Sequence, residues 1–377
     1  MGTLGAAQIA PLTSLRAFAA LIVVAYHTKR QFGPGLILER HTALFSKGYL
    51  GVDFFFVLSG FIIAYVYRDE LRSFALTPYL RFLANRIARL WPLHAATIAL
   101  SASYLVVVRG EPSLATPGEP APEAAELAAA LVANLTLTHN WWGDWSAYWN
   151  PPAWSVSCEW FAYLLFPAVL AVSPLGGAIR PLAALGALAL LLWASAPWTI
   201  LGGIGFGLPR IALEFAMGVQ LYRLHEAMGP PEGRIGDVLA TATAAALLVA
   251  LHFSHHVADA LLAAGFAALI LFAARARGPF AAALSAPWLV HLGEISYAAY
   301  MSHWLIGRLI WPDLAARFGL EALPAPAAWI VMFAAVGLLS ALLHAGVERP
   351  GRRWLRAALD PARGPRLRPA PAAERPS

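Results

Sequence analysis

Arg16 and His27 stand eleven residues apart in an otherwise apolar run. On a helix that spacing rises roughly 16 Å and closes about three turns plus 20°, so both side chains face the same way. His27 could move a proton, because imidazole titrates near neutral pH, or could merely reach from the helix end to the interface. Two carboxylates begin later apolar runs: Asp53 in Gly51-Val52-Asp53-Phe54, and Glu159 in Trp154-Ser155-Val156-Ser157-Cys158-Glu159. Either could hold a histidine's tautomer and stabilise its charged form. Asp53 could equally cap a helix N-terminus. Arg210 and Glu214, four apart, read as a structural ion pair or as an adjunct to the site. Arg86 and Arg89 lie just before Trp91-Pro92, and Ser296, Tyr297 and His303 share one late apolar run. His252, His255 and His256 have no cysteine or carboxylate pair beside them, so no metal site is expected.

The surroundings of these residues set their cost. Hydrophobic residues make up 59% of the 377 and charged ones 13%, whereas a soluble domain carries about 25% charged. A larger core cannot absorb that deficit, because single cores stop growing near this size. Lipid must replace the missing polar surface. Ionisable groups inside such spans are expensive and mark pathways, partners or active sites. The single cysteine, Cys158, excludes an intrachain disulfide and reads as a small buried apolar residue. Met1–Ala10 lacks the basic segment of a cleavable leader, so the first apolar run reads as a span.

Ten spans follow from hydropathy. They are Leu12–Lys29, Tyr49–Tyr67, Leu90–Val108, Ala153–Val172, Pro181–Trp198, Ile204–Leu224, Val238–Phe253, Ala258–Ala274, Trp288–Ile310 and Ala327–Val347. With the N-terminus cytoplasmic, about 18 Lys and Arg fall on the inner side against about 7 outside, which places both termini in the cytoplasm. Arg16 then lies near the inner face, and His27, Asp53 and Glu159 lie toward the outer one. The net charge of +6 is explained by this topology, and nucleic-acid binding is not expected. The apolar stretch 124–137 is too short to span and reads as an interfacial, re-entrant or half-buried helix. The segment from Asn140 to Trp149 is rich in tryptophan, suited to interface anchoring or to stacking on sugar faces. Residues 1–356 read as one all-α membrane domain, and 357–377, rich in Pro, Ala and Arg, as a disordered cytoplasmic tail.

Six segments together resemble the membrane acyltransferase-3 family. They are Leu15-Arg16-Ala17 through His27, Gly51 through Phe61, Arg86 through Pro92, Pro152 through Glu159, Ser296-Tyr297 through His303, and Glu348-Arg349-Pro350. They occur in family order over residues 11–356, with one departure: Trp160 follows Glu159 where another polar residue is expected. The resemblance implies a stand-alone, multi-pass protein of the bacterial inner membrane that moves an acyl group, by default acetyl, from acyl-coenzyme A to a hydroxyl. The expected acceptor is a sugar or glycan, with a small molecule such as a macrolide as the alternative. Acyl-coenzyme A is then a co-substrate and no permanently bound cofactor is implied.

On this reading His27 is the general base, oriented by Asp53 or Glu159, with a covalent acyl-histidine as a variant. Arg16, Arg86 and Arg89 hold the donor's phosphates. Trp154, Ser155, Arg210, Ser296, Tyr297 and His303 assist the acceptor or the oxyanion. A proton-coupled transporter is the main rival, but the paired broken helices it needs are not visible. A non-catalytic glycolipid-binding protein leaves His27, Asp53 and Glu159 without a use.

Overall fold

The computed structural model describes residues 9–28, 42–114, 122–143, 145–173, 177–199, 206–230, 234–253 and 259–359. These residues are helical, with no strand among them. The chain begins with α1 (Ala10–Thr28), α2 (Gly51–Leu71) and α3 (Leu76–Tyr104). A short α4 (Ala124–Leu135) precedes α5 (Trp154–Val172), α6 (Ile179–Thr199) and α7 (Gly207–Ala227). Then come α8 (Ile235–Phe253), α9 (Asp259–Arg275), a short α10 (Pro279–Leu284) and α11 (Pro287–Trp304). The short α12 (Trp311–Phe318), α13 (Ala325–Leu343) and α14 (Arg349–Ala358) close the order.

Each of the ten expected spans coincides with one of these helices. Six segments are long and apolar enough to cross a bilayer: those containing α1, α2, α3, α5, α8 and α13. Shorter apolar stretches lie in α6 and α9. α7 and α11 turn polar residues inward, with Arg210, Glu214, Ser302 and His303 all buried. Large apolar side chains such as Leu190, Val249, Ile330 and Leu338 meanwhile face outward. Polar inside and apolar outside is the arrangement of a helical membrane bundle.

Two expectations about boundaries shift. α3 starts at Leu76, well before the hydropathic span at Leu90, so Arg81, Arg86 and Arg89 lie on the helix and not in a connection. Charges end a hydropathy window, but Leu, Arg and Ala are good helix formers and carry the helix through them. α14 runs to Ala358, two residues past the expected domain boundary. The tail from 360 onward lies outside the described residues, as do His255 and His256. The stretch 124–137 forms α4, which buries Ala130, Ala133 and Asn134 and leaves Leu131 and Val132 exposed.

The most extensive helix packing is of α2 with α7 and of α1 with α11. Small residues permit the first. A Cβ on Gly60 would stand 2.1 Å from the Phe215 carbonyl oxygen, and one on Gly218 2.1 Å from that of Val57. Backbones this near gain dispersion contacts that lipid cannot replace. Three helices widen into π-type turns, at Leu105–Arg109, Leu305–Ile310 and His344–Glu348. The last two adjoin residues of the site, where such turns are frequent.

Gly218→Val should therefore lower the thermal midpoint of the detergent-solubilised protein, at a cost of about 1–3 kcal/mol for overpacking. Gly186→Val, at a position with no atom within 4 Å of its Cβ direction, is the control and should leave the midpoint in place. Equal midpoints for the two variants would dismiss the close α2–α7 approach.

Candidate active site

α1, α2, α3, α5 and α11 enclose a cavity of about 170 Å³. Seven of the residues singled out in the sequence line it: Arg16, Arg86, Arg89, Ser155, Glu159, Ser296 and Tyr297. Glu159 is half-buried. Its Oε1 accepts hydrogen bonds from the Ser59 hydroxyl at 2.8 Å and the Tyr163 hydroxyl at 2.5 Å. Arg86 donates to the Tyr67 hydroxyl at 3.0 Å, and its guanidinium stands 5.1 Å from the Tyr67 ring centre. Its Nε is buried without a hydrogen-bond partner. Arg16 makes no hydrogen bond or ion pair among the described residues; its electrostatic neighbours include Glu159 and Tyr163. Arg89 is engaged: it pairs with the buried Glu348, which also meets His344 Nδ1 at 3.0 Å, and it covers the Tyr297 ring at 5.1 Å. Ser296 donates to the Gly293 carbonyl at 2.8 Å, a bond within its own helix.

A second group forms where α2 meets α7. Asp53 is fully buried, and both its oxygens accept from Arg210, with Nε–Oδ1 at 3.1 Å. Glu214 lies 3.8 Å from the same guanidinium. Trp154 covers Arg210, its ring centre 5.7 Å from the guanidinium carbon. Asp53 therefore neither caps its helix nor orients His27. Inside a bilayer it is held by the strongest donor within reach, the bidentate fork of an arginine. Trp154 and Arg210 belong to this pair and do not line the cavity.

His27 and His303 form the third group. His303 Nδ1 lies 2.5 Å from the Tyr300 carbonyl, so it carries the proton and leaves Nε2 as an acceptor. His27 Nδ1 lies 3.0 Å from the Val23 carbonyl and 3.3 Å from that His303 Nε2. Both partners accept, so Nδ1 of His27 is the N–H and its Nε2 keeps the lone pair. A backbone carbonyl and a second histidine fix the tautomer, where a carboxylate was expected; Glu159 is occupied by Ser59 and Tyr163 instead.

Tyr300 links the groups. It lines the cavity, donates to the Pro152 carbonyl at 2.9 Å, lies 2.7 Å from Ser155 Oγ, and offers its own carbonyl to His303. Along the α1–α11 seam the order is Arg16 and Tyr297, then Tyr300, then His303 and His27.

Residues 10–345 match the family whose model is described as an acyltransferase domain. The chain belongs to the acyltransferase-3 family. The acyltransferase is 29% identical over 375 residues to the acyltransferase MdmB of Streptomyces mycarofaciens, covering 92% of each chain. It is 36% identical to protein 2 in the picA locus of Rhizobium radiobacter, over 39% of this chain and 75% of that one. Against the O-acetyltransferase OatA of Staphylococcus aureus it is 27% identical, over 42% of this chain and 24% of that longer protein. No solved structure matches.

Sequence reading gave no role in this acyltransferase to Ser59, Tyr163 or Tyr300, although all three lie in its motifs. Tyr163 stands one turn after Glu159, Tyr300 between Tyr297 and His303, and Ser59 within the Gly51–Phe61 segment; what no local pattern shows is that Ser59 meets Glu159 from another helix. Among the described residues no group of three potential metal ligands exists. The tryptophan-rich segment divides: Trp141 donates to the Ser157 carbonyl at 3.2 Å and Trp149 to that of Pro112 at 3.1 Å, while Trp142 is exposed.

Two acids face one guanidinium at the α2–α7 contact, and Glu214 is the one outside its bidentate grip. Glu214→Gln should hold or raise the thermal midpoint of the acyltransferase. Asp53→Asn should lower it clearly, because it leaves Arg210 buried beside a neutral group. The opposite ranking would reverse the assignment of Asp53 as the structural partner.

Proposed function

We propose that this acyltransferase moves an acyl group, by default acetyl, from acyl-coenzyme A to a hydroxyl of a sugar or glycan at the cytoplasmic membrane, both of its termini being cytoplasmic. One observation carries the reading: the α1–α11 seam runs from cavity arginines to a histidine whose Nε2 bears a lone pair. The donor's phosphates belong at Arg16 and Arg86, whose donors are the least engaged, with Arg89 contributing from its pairing with Glu348. The pantetheine arm lies along the seam, whose length from Arg16 to His27 is roughly 16 Å on an unbroken helix. Glu159, held by Ser59 and Tyr163, balances part of the charge of Arg16 and Arg86.

At the other end His27 Nε2 takes the proton of the acceptor hydroxyl as its oxygen attacks the thioester carbonyl. The new C–O bond forms, the C–S bond breaks, and the imidazolium returns the proton to the departing coenzyme A sulfur. The positive charge that His27 acquires is shared through Nδ1–H with the Val23 carbonyl and His303. His303 and Tyr300 are thus positioning residues. The O-acetyltransferase among the relatives supports acetyl and a hydroxyl acceptor.

Purified protein in detergent should release thiol from acetyl-coenzyme A, slowly to water and faster with an acceptor. His27→Ala should reduce that release about 100-fold or more. Arg86→Ala should raise KM while leaving most of kcat, because it binds the donor without touching the reacting atoms. Undiminished release by His27→Ala would refute the base assignment.

A further inference from the structure

We infer that Arg352, on the last helix, is an unassigned anion-binding residue that receives the ribose 3′-phosphate of the coenzyme A donor. The inference rests on the donor reading above and extends it to a helix that supplies no lining residue of the cavity.

The placement follows from the way α14 docks. Glu348, one residue before it, pairs with Arg89 of α3. Gly351 lies against Pro92 of α3, so closely that a Cβ there would stand 2.6 Å from the proline Cβ. Residues one turn apart share a helix face, which puts positions 348, 351, 352 and 355 on the side facing α3. Burial agrees: Gly351, Arg352 and Leu355 are half-buried, whereas Arg353, Trp354 and Arg356 are exposed. Arg352 is thereby turned toward the arginines of the cavity, and its electrostatic neighbours are Arg16, Arg86, Arg89, Tyr67 and, on its own helix, Arg356.

The charge balance there is one-sided. Arg16, Arg86, Arg89 and Arg352 meet three carboxylates, Glu159, Glu294 and Glu348; Glu348 is occupied by Arg89, and Glu294 stands beside His291. Arg352 itself makes no hydrogen bond or ion pair among the described residues, and the buried Nε of Arg86 has no partner. Converging cations with idle donors repel one another unless an anion joins them. A polyanion with separated phosphates suits this layout. In coenzyme A the diphosphate follows the pantetheine arm and the ribose 3′-phosphate lies farther out. A phosphomonoester carries about −1.5 to −2 charge at neutral pH, a match for a free guanidinium. Arg16 and Arg86 line the cavity and take the diphosphate; Arg352, just outside it, takes the terminal group.

The test compares coenzyme A with 3′-dephospho-coenzyme A in equilibrium binding to the full-length, detergent-purified protein. Wild type should bind coenzyme A about tenfold tighter than the dephospho form. Arg352→Ala should bind both with the wild-type affinity for dephospho-coenzyme A, and Arg352→Lys should restore part of the preference. Arg353→Ala, exposed on the same helix, should behave as wild type. Equal weakening toward both ligands, or a preference intact in Arg352→Ala, overturns the inference while leaving the donor reading in place. Failure of wild type to bind either ligand overturns the donor reading, and the inference with it.

Discussion

A charged side chain inside a bilayer has no water to turn to, so it must find its counter-charge or hydrogen-bond partner on another helix. The bidentate Asp53–Arg210 contact is the plainest case here. It ties α2 to α7 at one level, while the glycine contacts of Gly60 and Gly218 bring the same helices together farther along. Polar attraction chooses the partner and small residues allow the approach. α1, α5, α6 and α9 pack against that pair, with Trp154 covering the guanidinium.

The same constraint organises the cavity by leaving part of it unsatisfied. Glu159 is met by two hydroxyls and Arg89 by Glu348, but Arg16 and the Nε of Arg86 remain without hydrogen-bond partners. In the α2–α7 cluster both Asp53 oxygens are met by Arg210, and the atoms left without a hydrogen bond are acceptors, the two oxygens of Glu214. Beside the cavity the atoms left over are donors, those of Arg16 and the Nε of Arg86. The contrast between the two clusters separates scaffold from site more sharply than residue type does, since both are built from arginine and carboxylate.

The α1–α11 seam joins the cavity to the histidine pair. One helix carries Arg16 and His27, and its neighbour carries Tyr297, Tyr300 and His303 in the same order. Tyr300 has one side in the cavity and its carbonyl on His303. Tyr300 is thus the residue that touches both the cavity and the histidine pair.

The sequence by itself determined the helical membrane class, the position of each helix now seen at an expected span, and the short list of polar residues worth attention. These are local properties: hydropathy is read over about 19 residues, and rare charges announce themselves against an apolar background. The acyltransferase family was legible for the same reason, from six short motifs in order. Only the tertiary structure decided who pairs with whom. Asp53 meets Arg210 across 157 residues of sequence, and His27 meets His303 across 276. The expected His27–carboxylate pair failed because a shared depth in the membrane does not fix rotation about the helix axis or the choice of neighbour. Those are set by ridge, groove and glycine contacts between helices distant in the chain, which no local window contains.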